Sequence, residues 1–549
     1  MPAIPDAAPP PRYDMKYVWS ISLAAALGGL MFGYDWIVIS GTKPFYERLF
    51  DLKTASEEGW AMGSALIGCL IGAVLAGGLS DRFGRKRLLI LSALVFVVSS
   101  IGTGLAGTFV AFNVWRVAGG VAIGLASNLS PMYIAEVSPA AVRGRLVAMN
   151  QFTIVIGILL AQAANYFIAT HGGSLDRQTV RLLEKGELDP QSIAEDFAWQ
   201  EPQEARTALA EQLGAALGSL PKPLRYQAVV EAVETLNAQR QKAGKGKLTV
   251  DETAVKLAGH RRESWNVSAG WRWMFGVTAL PACFFFVLMF FVPESPRWLV
   301  KNGKAQAARG VLARIGGGPH ADREVKSIEA TLAGQIERVN FRDLLEPRMR
   351  TILLLGVTLA VLQQWCGANI IFYYAADLFQ AAGYSVPEAL WNIVIIGTVN
   401  LVFTVIAVNS VDRFGRRILM RIGFAGLAII HTLLGATLFS QSQGPHVLLL
   451  TLAVIGCYAL SLAPVTWVVL SEIFPNRIRG AAMSVSVFAL WTACFILTFT
   501  FPHLKAILSI ATAFWIYAAI CVGGLVFTWF RLPETKGKTL EELEKELVG

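Results

Sequence analysis

The sequence predicts an all-α membrane protein of twelve transmembrane helices arranged as two six-helix pseudo-repeats. Three observations predict it. The chain is 54% hydrophobic and only 16% charged over 549 residues, a balance foreign to soluble proteins of this length. Its apolar runs last about 20 residues each, enough to cross a hydrocarbon core of ~30 Å. A set of charged motifs also recurs in order. Asp81-Arg82-Phe83-Gly84-Arg85-Lys86 returns as Asp412-Arg413-Phe414-Gly415-Arg416-Arg417, and Glu136, Pro139 and Arg143-Gly144 return as Glu472, Pro475 and Arg479-Gly480.

Residues 1–15 form a Pro/Ala-rich segment without the layout of a signal peptide, so the first span is expected to be retained. The spans of the first half read as 16–39, 59–80, 88–107, 111–134, 147–170 and 269–292. Those of the second read as 351–380, 389–411, 417–440, 446–471, 480–500 and 508–530. An even count puts both termini on one side. Arg82, Arg85, Lys86 and Arg87 after the second span, Arg143 and Arg145 after the fourth, and Arg413, Arg416 and Arg417 after the eighth assign that side to the cytoplasm.

The repeat also locates an insertion. The first two motif pairs recur 331 and 336 positions later, whereas Pro293-Glu294-Ser295 recurs as Pro533-Glu534-Thr535 after only 240. The shortfall of about 90 residues falls in the first half, where the polar stretch 171–268 supplies it on the outer side. It carries 13 Lys/Arg against 14 Asp/Glu, with helix-prone runs at 193–217 and 225–242. A small helical cap or excursion and a substrate- or partner-binding lid are both open readings. Helix 269–292 then completes the N-terminal bundle begun by 16–170. Residues 293–350 form a central cytoplasmic loop, with helices expected near 305–315 and 324–338. Residues 351–530 form the C-terminal bundle, and 531–549 a cytoplasmic tail with a short polar helix near 540–544.

The net charge of +9 lies between apolar runs and not on a basic helix interleaved with aromatics, which argues against a nucleic-acid partner. All six cysteines (Cys69, Cys283, Cys366, Cys457, Cys494, Cys521) fall in apolar runs without metal spacing or a disulfide framework. No catalytic triad, metal cluster or phosphate loop is evident, so neither an enzyme nor a metal or organic cofactor is expected. Gly63, Gly68 and Gly72 in the second span and Gly119, Gly120 and Gly124 in the fourth make small-residue stripes suited to close helix packing.

Polar groups at bilayer depth are costly and mark functional positions. The densest set is in the seventh span, Gln363-Gln364-Trp365-Cys366-Gly367-Ala368-Asn369-Ile370-Ile371-Phe372-Tyr373-Tyr374. At ~100° per residue, Gln363, Gly367 and Tyr374 share one face while Asn369 and Tyr373 share another. A straight helix cannot aim both at one cavity, but a break at Gly367 does, the geometry by which many transporters hold substrate. Inter-helix glue is the plainer alternative. Asp35 in the first span and Arg116 in the fourth are the other costly pair. Burial favours the neutral carboxyl and a nearby guanidinium the charged one, so small rearrangements switch its protonation. A permanent structural ion pair is the alternative.

These residues resemble the sugar porter family of the major facilitator superfamily, and within it the bacterial proton–sugar symporters of the xylose-transporter kind. The matching marks are Gly33-Tyr34-Asp35, Asp81–Lys86, Arg116, 131–136 with Arg143-Gly144-Arg145, and the run from Pro293 to Trp298. They continue through Gln363–Tyr374, Asp412–Arg417, Trp467 with 471–475, and 533–537, covering all but the N-terminal residues and the insertion. The resemblance implies import of a sugar by proton symport, with Asp35 as proton carrier and Arg116 as its modulator. It assigns Gln363, Gln364, Asn369 and Trp467 to sugar contact and Phe32 and Tyr373 to the walls. Asn400 and Trp491 are further residues within reach. A charge network of Asp81, Arg82, Arg85, Glu136 and Arg143 with Asp412, Arg413, Arg416, Glu472 and Arg479 is expected to act as a cytoplasmic gate, as well as anchoring topology. Two departures stand out. Ile158 and Leu490 occupy places where the family usually carries amides, and Gln162, one turn beyond Ile158, is expected to compensate. A polyol or a sugar with fewer hydroxyls is therefore also open, as are a facilitative uniporter and a transporter-like receptor. Each chain holds a complete pathway, so a monomer among membrane lipids, in the inner membrane, is expected.

Overall fold

The computed structural model describes residues 13–139, 142–183, 211, 265–333, 346–384, 386–440, 445–475 and 479–536. Most of the 171–268 insertion and the polar helix read near 540–544 lie outside them. The described residues are helical, without a strand, and twelve of the helices are long and apolar enough to cross a membrane. The first six are Met15–Leu49, Ala55–Phe83, Arg85–Leu105, Phe109–Val137, Arg143–Gly172 and Asn266–Phe291. The second six are Met349–Ala381, Val386–Ala407, Arg416–Phe439, Pro445–Leu470, Ala481–Ile507 and Ile510–Phe530. Between the halves, Pro296–Lys301, Ala305–Gly316 and Gly318–Ala333 form short polar helices. The first span runs ten residues beyond its expected end at 39, because the charges that close the hydropathy window are paired inside the protein.

Local chemistry sets the helix ends. Thr54 and Glu57 form a reciprocal capping box at the start of the second span. The third and ninth spans start alike. Gly84 and Gly415 take φ of +92° and +90°, a left-handed conformation that glycine tolerates, and each next helix is capped by a carboxylate from far along the chain. Glu294 Oε1 accepts from the backbone N–H groups of Arg85 and Lys86 at 3.0 and 3.1 Å. Glu534 accepts from those of Arg416 and Arg417 at 3.2 and 3.3 Å. The Pro-Glu-Ser and Pro-Glu-Thr repeats therefore exist to satisfy orphaned N–H groups and the positive end of a helix dipole.

Small residues let the helices close-pack, as the stripes predicted. A Cβ on Gly120 would meet the Ala65 carbonyl oxygen at 1.9 Å, and one on Gly68 would meet that of Val117 at 2.1 Å. Spans one and five interlock similarly, Gly33 against Ile154 and Gly157 against Leu30. Gly63 faces Phe495 across the two halves, and Gly119 faces Ser99 and Asp35. Since the obstacle at Gly120 is backbone, Gly120→Ala forces the helices apart. We expect a loss of about 1–3 kcal/mol, read as a melting shift on the order of 5 °C in detergent. Gly77→Ala meets nothing within 4 Å and leaves the melt unchanged.

Candidate functional site

The seventh span breaks where the sequence predicted. Helix Pro347–Trp365 ends, Gly367 takes φ +86°, and helix Ala368–Ala381 begins in a new direction. The break frees the Cys366 carbonyl, which accepts from His431 Nε2 at 2.8 Å. A side chain at Gly367 would press on His431 and Tyr517. Histidine in the ninth span, with the Cys521 thiol at 3.5 Å as a weaker second donor, thus satisfies a polar group that the break exposes in a low-dielectric interior.

This turn brings the three amides together. Asn369 Nδ2 donates to Gln364 Oε1, Gln364 Nε2 donates to Gln363 Oε1 at 2.6 Å, and Gln363 Nε2 donates to Tyr458 Oη at 2.6 Å. All three are buried. The result is a polarised relay whose members present spare donors and acceptors to whatever replaces one link. Tyr374, also off helical geometry, donates its hydroxyl to the Thr498 carbonyl at 2.7 Å, tying the segment to the eleventh span.

Aromatic rings from both halves meet beside this relay. Phe32 packs on Trp491 at 5.7 Å between centroids and on Trp36 at 6.1 Å. Trp36 in turn meets Tyr373 edge-on at 5.4 Å and Phe372 at 5.9 Å. Trp36 was not among the residues read from sequence. Its signal was there, one turn after Phe32 on the same face. Trp467 stays outside the cluster, with 38% of its surface exposed. Asn400 is buried on the eighth span. Gln162 is buried with neither its Oε1 nor its Nε2 hydrogen-bonded, and it abuts Gly397 of the eighth span, so it does face across the halves. Ile158 and Leu490 are buried apolar side chains.

Asp35 and Arg116 do pair. Arg116 Nη1 donates to Asp35 Oδ1 at 3.1 Å, and its nitrogens approach the Asp35 carbonyl at 3.3 and 3.4 Å. Both side chains are almost wholly buried. The pairing uses one carboxylate oxygen. Oδ2 has no partner and points at Gly119, where an added Cβ would lie 3.3 Å away. The guanidinium also lies over Phe275, 5.3 Å from the centroid.

At the helix ends bearing Gly84 and Gly415, the predicted charges form two matching sets. Arg85 forks onto Glu136 with both distances 3.1 Å and reaches Asp81 at 3.4 Å. Ser295 Oγ donates to Glu136 Oε2, which Arg85 Nε also approaches, and Lys301 pairs with Asp81 at 2.8 Å. Arg416 reaches Glu472 at 2.9 Å. Arg82 and Arg413 lie over the rings of Phe83 and Phe414, and Arg143 approaches the Ser138 carbonyl at 3.5 Å. These contacts join helices within one half or to the central segment. The side chains of Asp412 and Arg479 lie outside the described residues.

Known proteins share this arrangement. The family model described as "Sugar (and other) transporter" matches residues 21–182 and 254–547. The D-xylose-proton symporter of Escherichia coli (strain K12) is 35% identical, over 97% of this chain and 96% of its own. The arabinose-proton symporter of Bacillus subtilis is 32% identical, over 97% and 96%. The solved inward-open conformation of the E. coli xylose transporter is 34% identical and superposes with a TM-score of 0.71, covering 96% of this chain and 100% of that one. With twelve apolar helices, matching motifs and this likeness along its length, the chain belongs to the sugar (and other) transporter family.

Proposed function

We propose that the protein imports a sugar by proton symport through alternating access, as a transporter and not an enzyme. The observation that carries this reading is the amide relay at the break in the seventh span. Carbohydrate rims alternate donors and acceptors while their C–H faces are apolar. Gln363, Gln364 and Asn369 match the rim, and Phe32, Trp36, Tyr373 and Trp491 match the faces. Gln162, with both polar atoms unused, Asn400 and the partly open Trp467 complete the set. The names of its relatives, proton symporters of xylose and arabinose, support the substrate class.

Asp35 carries the proton. Its Oδ2 is unused, so protonation there removes the charge without breaking an existing hydrogen bond, and Arg116 restores the charged form when it closes in. The co-transported proton is the only cofactor-like species this scheme requires. The paired sets around Arg85 and Arg416 stabilise each half and gate the cytoplasmic side. The protein works as a monomer in a bacterial inner membrane, with both termini cytoplasmic. Uptake by proteoliposomes of pentoses, hexoses, disaccharides and polyols, with and without a pH gradient, tests this. Uptake of none of them, or uptake indifferent to the gradient, would overturn it.

A polyol or a sparsely hydroxylated sugar is the second reading, favoured by the apolar Ile158 and Leu490. Ile158→Gln adds a hydrogen-bonding group beside Gln162. It is expected to shift competition towards the more hydroxylated substrate by about tenfold, the effect of one added hydrogen bond. An unchanged order of competitors counts against a role for this position.

A further inference from the structure

At the ends of the helices remote from Gly84 and Gly415, five charged side chains converge from both halves. Lys43 and Glu47 come from the first span, Glu58 from the second, Asp377 from the seventh and Lys505 from the eleventh. Lys43 Nζ lies 2.7 and 2.9 Å from the two oxygens of Asp377, 2.8 Å from Glu58 and 2.9 Å from Glu47. Lys505 Nζ lies 2.8 Å from Asp377 and 3.0 Å from Glu58. Two ion pairs of opposite polarity thus cross between the halves, Lys43 to Asp377 and Lys505 to Glu58. Lys43 is only 2% exposed and the three carboxylates 12–15%.

The charges do not balance. Among the described residues, three carboxylates meet two ammonium groups, an excess of one negative charge in a largely buried site. Asp377 and Glu58 each touch both lysines, whereas Glu47 touches Lys43 alone. Lys43 has three N–H donors for four carboxylate oxygens, one of them Glu47 Oε1 at 2.9 Å. Tyr46, which donates to Met62 Sδ, and Arg48 flank Glu47 on its own helix. Tyr374 lies under Lys43, and His503 of the eleventh span bonds Ser56 nearby. Among the described residues, Lys43 is the cation in contact with Glu47, at 2.9 Å.

We propose that this cluster is the outer lock of the transport cycle and a second proton-binding site, in which closing the two halves takes up one proton on Glu47. The proton neutralises the surplus charge, and when the halves part, water solvates all five groups and the proton leaves. Closure is therefore favoured at low pH and weakened as pH rises, since the closed form binds more protons than the open one. In the orientation proposed above, on which this step rests, the site lies on the face that meets the proton-rich side, so the arriving proton shuts the door behind the cargo.

The test is a distance measurement on the full chain in nanodiscs, independent of which sugar is carried. Spin labels go on Lys53→Cys and Leu508→Cys, both exposed and on opposite halves, with the exposed Cys283 replaced by Ser. An Asp35→Asn background silences the other proton site. The short-distance fraction is expected to rise at least about threefold from about pH 8 to about pH 5.5, within the limit of tenfold per unit for one proton. Glu47→Gln, a neutral isostere, should hold the short distance at both pH values. Lys43→Met, which leaves three carboxylates against one lysine, should lengthen it. A pH-independent distribution, or a pH response that survives Glu47→Gln, overturns the proposal. Failed sugar uptake leaves it untouched.

Discussion

Asp35→Asn is expected to abolish accumulation while sparing exchange. In the parent protein, one unit of pH gradient is worth about 1.4 kcal/mol and drives about tenfold accumulation at one proton per sugar. Asparagine keeps an oxygen for Arg116 but carries no transferable proton, so the internal-to-external ratio should fall to about one. Counterflow between labelled and unlabelled sugar needs no net proton movement and should persist. Arg116 then stays buried without a counter-charge, a cost of up to about 3–5 kcal/mol. The variant is therefore checked first for monodispersity and melting temperature. Retained accumulation under a pH gradient, in a well-folded variant, would remove Asp35 from the coupling step.

Gln364→Ala should produce the largest loss of binding. Gln364 is the middle link, accepting from Asn369 and donating to Gln363. Its removal deprives the sugar of a partner and strands two buried amide groups, each costing about 1–3 kcal/mol when unsatisfied. Sugar affinity, by calorimetry or quenching of the site tryptophans, should weaken by about 30- to 100-fold, a loss of about 2–3 kcal/mol. Gln363→Ala at the end of the relay should cost less, because the Tyr458 hydroxyl can reorient. A loss below about threefold for Gln364→Ala would mean that the relay only glues helices.

What was legible in the sequence follows from range. Helix spans, the half-repeat and the break at Gly367 depend on local pattern, and all are found. The Asp35–Arg116 pair was legible because each charge alone is intolerable in lipid. The role of Glu294 and Glu534 as helix caps was latent in their repetition, but not which N–H groups they serve. The tie from His431 to the bare carbonyl of Cys366 was hidden, since a lone histidine in an apolar run has many readings. The cluster around Lys43 was hidden more deeply. Hydropathy ended the first span before it, and Asp377 lies 334 positions away. Only the folded chain shows that these charges meet.

The broken seventh span has a mechanical consequence. Helix Ala368–Ala381 is a stub of 14 residues carrying Asn369 near one tip and Asp377 toward the other. Those two positions are separated by about 12 Å, at 1.5 Å per residue, with the kink at Tyr374 between them. Gly367 and Tyr374 are thus two bends in one short segment, and a tilt at the amide end reaches the carboxylate end through the second of them. Cargo and latch therefore sit on one jointed segment, and the joint at Tyr374 sets how much of one's movement the other feels.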